Sequence, residues 1–138
     1  MMRNSVFQYD SPQSEVIQMQ IAQKDDAQSK QDLDELFREI KAMKFDREAE
    51  VFKALGHPIR LKIVYGLVKV GGCNVKNMQE CLGLHQATVS QHLIHLKSRG
   101  IITSTRHGLE MVYTVEDSWA QCVIDNIEKK KQEAEEAE

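Results

Sequence analysis

The sequence predicts a mainly α fold with a small β-hairpin wing: a dimeric winged helix-turn-helix with an extra N-terminal helix. Three observations predict it. Residues 86–99 read as a polar, hydroxyl- and amide-rich helix that stops at Gly100. A short helix and a Gly83-Leu84 turn precede it, and two β-prone runs flanking Arg106-His107-Gly108 follow it. Charge is also segregated. From Gly56 to Leu109 there are seven cations and one anion, whereas residues 116–138 hold eight acids and three lysines. A basic centre within a chain of net charge −3 suits a surface that faces phosphate.

The length of 138 residues predicts about one domain. A charged fraction of 28% and a hydrophobic fraction of 41% fit a soluble, mostly helical protein. No run approaches the ~20 apolar residues that span a bilayer. The N-terminal stretch has no apolar segment of signal-peptide length. Three cysteines, an odd number, make no disulfide framework. A cytoplasmic protein without membrane partners is the expectation.

Residues 1–28, rich in Gln, Asp and Ser, read as a mobile arm with some helix around Val16 to Ile21. Residues 29–130 read as the winged helix-turn-helix domain with N- and C-terminal dimerisation helices, and 131–138 as a charged tail. Leu33, Leu36, Phe37, Ile40 and Met43 recur at spacings of three and four, which predicts a helix over 29–44. Ser29 is its expected cap, with Asp32 three positions on. A second helix is expected from Asp46 to Leu55, with Val51, Phe52 and Leu55 inward. His57-Pro58 opens the next, because proline costs nothing at the first helical position. Its buried stripe is Ile59, Ile63, Val64 and Leu67.

Asn74 is the expected N-cap of a short helix over 75–81. The next helix runs from Gln86 to Arg99, with Val89, Leu93 and Leu96 inward and Gly100 as its C′ glycine. Ile101–Thr105 and Leu109–Val115 alternate with period two, predicting a hairpin that turns at His107-Gly108. Asp117 or Ser118 caps a last helix with Trp119, Cys122, Val123 and Ile127 on one face.

In such a fold the second helix of the pair enters the major groove. Its outward residues are Gln86, Ala87, Thr88, Ser90, Gln91, Ile94 and His95. Glutamine can bond adenine through two hydrogen bonds, and hydroxyls can bond bases or phosphates. Lys97 and Arg99 would add salt-dependent affinity. Arg106 and His107 on the wing would reach a neighbouring groove. The expected DNA-binding set is Gln86, Ala87, Thr88, Ser90, Gln91, His95, Lys97, Arg106 and His107.

The runs ALGHPIRLKIVYGL and LGLHQATVSQHLIHLKSRGII, and a wing ending in MVYTV, resemble the ArsR/SmtB-type bacterial transcriptional regulators. The resemblance covers about residues 46–127. It implies a homodimeric repressor that binds a pseudo-palindromic operator in double-stranded DNA and leaves it when an inducer binds. It also implies that the first and last helices form the dimer interface, here through Leu33, Phe37, Ile40, Trp119, Val123 and Ile127. Typical members place serine at the recognition-helix cap, where this chain has His85.

The departures concern sensing. A Cys-x-Cys metal pair typical of the family falls on Asn74-Val75-Lys76, which has no thiolate. A second typical site, on the last helix, needs histidines, and none follows His107. Borderline and soft metals want thiolate or imidazole, so no metal or other cofactor is expected. A metal-responsive repressor with an atypical site is the lesser alternative. The main alternative is control by thiol chemistry or by a protein. The candidate sensor thiols are Cys73, Cys81 and Cys122. Cys73, beside a helix N-terminus, is expected to be the most reactive. Paired carboxylates, a glycine-rich phosphate loop and an ordered nucleophile are all missing, so an enzyme is not expected.

Overall fold

The computed structural model describes residues 15–16 and 26–137. Glu15 and Val16 are helical, and the rest of the arm expected over 1–28 lies mostly outside the described residues. The chain divides into two compact units, Met1–Lys44 and Phe45–Glu138.

The first unit contributes α1, Asp26–Ala42. It begins three residues before the expected cap, so Ser29 lies inside the helix. Ala27, Gln28, Lys30 and Gln31 are strong helix formers and let the helix extend past Ser29. Asp32 accepts a hydrogen bond from Gln28 Nε2 at 3.1 Å. Leu33, Leu36, Phe37, Ile40 and Met43 form an exposed apolar stripe.

The second unit contains α2 (Asp46–Leu55), α3 (Pro58–Val70), α4 (Val75–Leu82), α5 (Gln86–Ser98), β1 (Ile102–His107), β2 (Glu110–Val115) and α6 (Ser118–Glu136). Three of the helix starts, those of α3, α4 and α6, have a side-chain cap. His57 Nδ1 accepts from the Ile59 N–H ahead of Pro58. Asn74 Oδ1 accepts from Asn77 N at 2.8 Å, and Asp117 Oδ1 from Ala120 N at 2.8 Å. At the end of α5, Gly100 N bonds Lys97 O and Ile101 N bonds Leu96 O, the paired closure of a Schellman motif.

The core draws on every element of this unit except β2, whose Tyr113 and Val115 pack against it. Val51, Ala54, Ile63, Val64, Leu67, Met78, Val89, Leu93, Leu96, Ile101, Ile102, Ala120 and Ile124 are buried. Burying a side chain such as Leu96 is worth roughly 1.5–3 kcal/mol. Phe52, expected inward, is 59% exposed. Ala54 takes the inward place, where Arg60 Nε from α3 donates to its carbonyl. On α6 the inward pair is Ala120 and Ile124, and Cys122 is exposed.

The hairpin differs from expectation by two residues. β1 extends to His107, which pairs with Glu110, and Arg106 pairs with Met111. The turn is therefore Gly108-Leu109. A two-residue hairpin turn needs positive φ at its first position, which Gly108 supplies at 63°. Gly72 has a packing role. A Cβ there would meet Thr114 Cγ2 at 3.1 Å and Val112 Cγ1 at 3.2 Å. Its absence lets Cys73 bridge to Tyr113 of β2 by two backbone hydrogen bonds, of 3.1 and 2.9 Å.

Arg47 joins three parts of this unit. Its guanidinium donates to Asp117 Oδ2 at 2.6 Å, to Arg99 O at 2.6 Å and to Gly100 O at 3.4 Å. Burial opposes ionisation of Asp117, but the Ala120 N–H and Arg47 outweigh it and hold the carboxyl below its ordinary value. A lowered carboxyl pKa contributes stability above the unfolded-state value, and that stability is lost as pH falls through the folded-state value. We therefore expect Asp117→Asn to flatten the acid side of the stability-versus-pH curve measured by thermal melting. Arg47→Ala should cost about 1–2 kcal/mol at neutral pH in urea unfolding, since its side chain is 38% exposed and partly screened.

Candidate nucleic-acid interface

The sequence α4–turn–α5 builds a helix pair with one face of α5 outside. Gly83 closes α4 through its N–H to Gln79 O, and Leu84 N also reaches Gln79 O. Val89, Leu93 and Leu96 anchor α5 to the core. Gln86, Ala87, Gln91 and Ile94 are exposed, while Thr88 and Ser90 are half-buried. Ala87, Gln91 and Ile94 follow an i, i+4, i+7 row and share a face. Ile94 is 69% exposed, so this face carries an apolar group as well as amides.

His85 occupies the N-cap of α5 but makes no side-chain capping bond. The first N–H groups of α5 therefore keep their donor capacity and the helix dipole stays uncompensated there.

Lys97 Nζ donates to Ser104 Oγ at 2.7 Å, tying the last turn of α5 to β1. Arg106 and His107 are exposed, and Arg106 Nε donates to Gly108 O at 3.2 Å. Arg106 thus lies on the strand one residue short of the turn's flank, with Leu109, 95% exposed, at the tip.

Two residues expected near DNA are placed to one side. Arg99 pairs with Glu50 of α2 at 3.1 Å. His95 lines a crevice with Glu50, Lys53, Ala54, Arg60 and Arg99. Burial first, then Arg60 and Arg99, lowers its proton affinity. His92 lies beside it with its ring 4.7 Å from that of His57, and burial and His57 lower it too.

Among the expected interface residues of the second unit, Trp119 is 47% exposed and Val123 and Ile127 are half-buried. Phe52, Val123, Ile127 and Ala134 line an open apolar groove of about 540 Å³, edged by Lys130 and Lys131. Lys131 also sits over the Tyr65 ring at 5.0 Å, and Tyr65 bonds Glu128, which pairs with Lys69.

The thiols differ from expectation. Cys73 is half-buried, and Cys81 and Cys122 are exposed. Burial, then Cys81, pushes the Cys73 thiol up rather than down. The reason is position. Asn74, not Cys73, is the cap, and the Cys73 sulfur donates to Asn74 O while its backbone is locked to Tyr113. Among the described residues no three His, Cys, Asp or Glu side chains are grouped to hold a metal ion. No helix among them is long and apolar enough to cross a membrane.

Arg47, Lys53 and Arg60 carry no signal in the sequence. The partners of Arg47 and Arg60 lie on other elements or at helix ends, and Lys53 reaches its crevice only through the packing of α2.

Residues 57–104 match the bacterial regulatory proteins of the arsR family. The transcriptional repressor PagR of Bacillus anthracis is 36% identical over 85 residues, spanning 62% of this chain and 85% of PagR. Its crystal structure superposes with a TM-score of 0.57, covering 60% of this chain and 94% of that one. The repressor SmtB of Mycobacterium tuberculosis is 36% identical over 59% of this chain, which spans 61% of that protein. The homodimeric winged helix-turn-helix DNA-binding domain of Mb0332 from Mycobacterium bovis is 26% identical, with a TM-score of 0.58 over 68% of this chain and 86% of that domain. The chain belongs to the arsR family of bacterial regulatory proteins and is a DNA-binding transcriptional regulator.

Proposed function

We propose that the protein is a homodimeric repressor that binds a pseudo-palindromic operator and leaves it in response to an inducer. The exposed row Gln86, Ala87 and Gln91 at the start of an uncapped α5 carries this reading. Amide side chains there can read adenine edges, while free N–H groups can donate to a phosphate oxygen. Arg106 and His107 on the wing extend the contact to an adjacent groove or its phosphates, and Lys97 adds charge near the backbone. Two such heads on a two-fold axis match a palindrome.

Dimerisation is supported by apolar surface that water alone covers in one chain. Phe52 at 59% exposure and Trp119 at 47% flank Val123 and Ile127. The α1 stripe Leu33, Phe37 and Ile40 is a second such surface. PagR and SmtB are named as transcriptional repressors, and the Mb0332 domain is homodimeric.

A thiol-responsive control is the second reading. The exposure of Cys81 and Cys122 favours these two over Cys73 as its seat.

Selection of bound duplexes from a random library tests operator reading. Recovery of no common sequence would overturn it. Gln91→Ala should weaken operator binding by about 1–3 kcal/mol and leave random duplex nearly unaffected, as read by gel shift. Arg106→Ala should weaken both alike. Phe52→Glu leaves the core intact and should shift sedimentation from dimer to monomer. Timed alkylation near neutral pH, read by peptide mass spectrometry, should modify Cys81 several-fold faster than Cys73, because Cys73 is less exposed and its thiol is pushed up.

A further inference from the structure

We propose that the crevice between α2, α3 and α5, lined by Lys53, Arg60, His95 and Arg99, holds a single phosphate group.

Lys53 of α2, Arg60 of α3 and Arg99 at the C-cap of α5 line it together with His95. Arg60 is fixed in place, because its guanidinium donates to the Ala54 and Lys53 carbonyls at the end of α2. Among the described residues Lys53 makes no ion pair. Glu50 also lines the crevice, but its carboxylate is held by Arg99 at 3.1 Å and Arg47 at 3.4 Å. Glu50 thus offsets one of the three cations, and Lys53 and Arg60 have no carboxylate partner among the described residues. The same cations act on His95, whose proton affinity is lowered by burial and by Arg60, Arg99, His57 and Lys53.

Size selects the ligand. The crevice measures about 70 Å³ and is largely enclosed. Small-molecule sites start near ~300 Å³, so one tetrahedral oxyanion fits and a nucleoside does not. Position suggests the source. His95 lies one helical turn beyond Gln91 on α5, so the crevice flanks the face that reads bases. Backbone phosphates flank a groove-bound helix in the same way, fixing its register without carrying sequence information. In that form the inference rests on operator binding. A free phosphate ion offers the same chemistry.

Two measurements with Lys53→Gln separate the sources. Lys53 is exposed, and an unchanged melting temperature verifies the fold. In the first, the His95 ring is titrated by NMR with inorganic phosphate or with chloride at equal ionic strength. Phosphate should raise the His95 pKa in the wild type, and Lys53→Gln should abolish the rise. In the second, operator and random duplex are bound across a salt series. Lys53→Gln should lower both affinities about threefold to tenfold and reduce the log–log salt slope by about one per subunit. A change in the duplex series assigns the site to the DNA backbone. A response to inorganic phosphate with unchanged duplex binding assigns it to the free ion. No response in either overturns the inference. Wild-type protein that does not prefer its operator would instead overturn the operator reading, while the phosphate titration still stands.

Discussion

The Arg47 guanidinium is the interaction on which the second unit's geometry depends. It binds Asp117, which caps α6, and it accepts the task of satisfying the Arg99 and Gly100 carbonyls at the end of α5. Three elements far apart in sequence thus share one planar fork of donors. A lysine could not do this, because a single ammonium lacks the fixed fork. The end of α5 determines where β1 leaves the helix, and the start of α6 determines where β2 ends. Glu116 N and Asp117 N both bond Ile101 O, closing the same junction from the other side. The wing and α5 are therefore held in one mutual orientation.

Charge is distributed to match. Cations concentrate from Gly56 to Leu109, and the acids concentrate on either side of that segment, in residues 1–55 and 116–138. Within the basic region some cations also brace the structure. Arg99 holds Glu50, and Arg60 covers the end of α2. Lys97 braces the wing against α5. The remaining exposed donors, Gln86, Gln91, Arg106 and His107, occupy the outer surface. On the proposed reading, the bracing of α5 against the wing limits the backbone entropy lost at the contact.

Much of this was legible in the sequence, and the reasons are local. Asn74, His57-Pro58 and Gly100 announce helix ends through their own hydrogen-bonding habits. The 3.6-residue period separated Val89, Leu93 and Leu96 from Gln86, Ala87 and Gln91 on the same helix. What was not legible depends on groups distant in sequence. Arg47 and Asp117 are seventy residues apart, and nothing in either neighbourhood predicts the pair. The wing register shifted because Gly108 suits the first turn position, which alternation alone does not reveal. Phe52 reads as core by composition, yet α2 turns Val51, Ala54 and Leu55 inward and leaves Phe52 exposed. Cys73 reads as activated by the α4 N-terminus, yet it is half-buried and bridged to Tyr113, forty residues away in sequence. The setting of His95 comes from Lys53 and Arg60 on two other helices.

The central claim is that two copies of α5 read one duplex about a two-fold axis. Hydroxyl-radical footprinting on a selected operator tests it most directly. Two symmetric protected segments are expected, with centres about one helical turn apart, roughly 10 base pairs, or a multiple of that. A single protected half-site, or equal protection of random duplex, would contradict it.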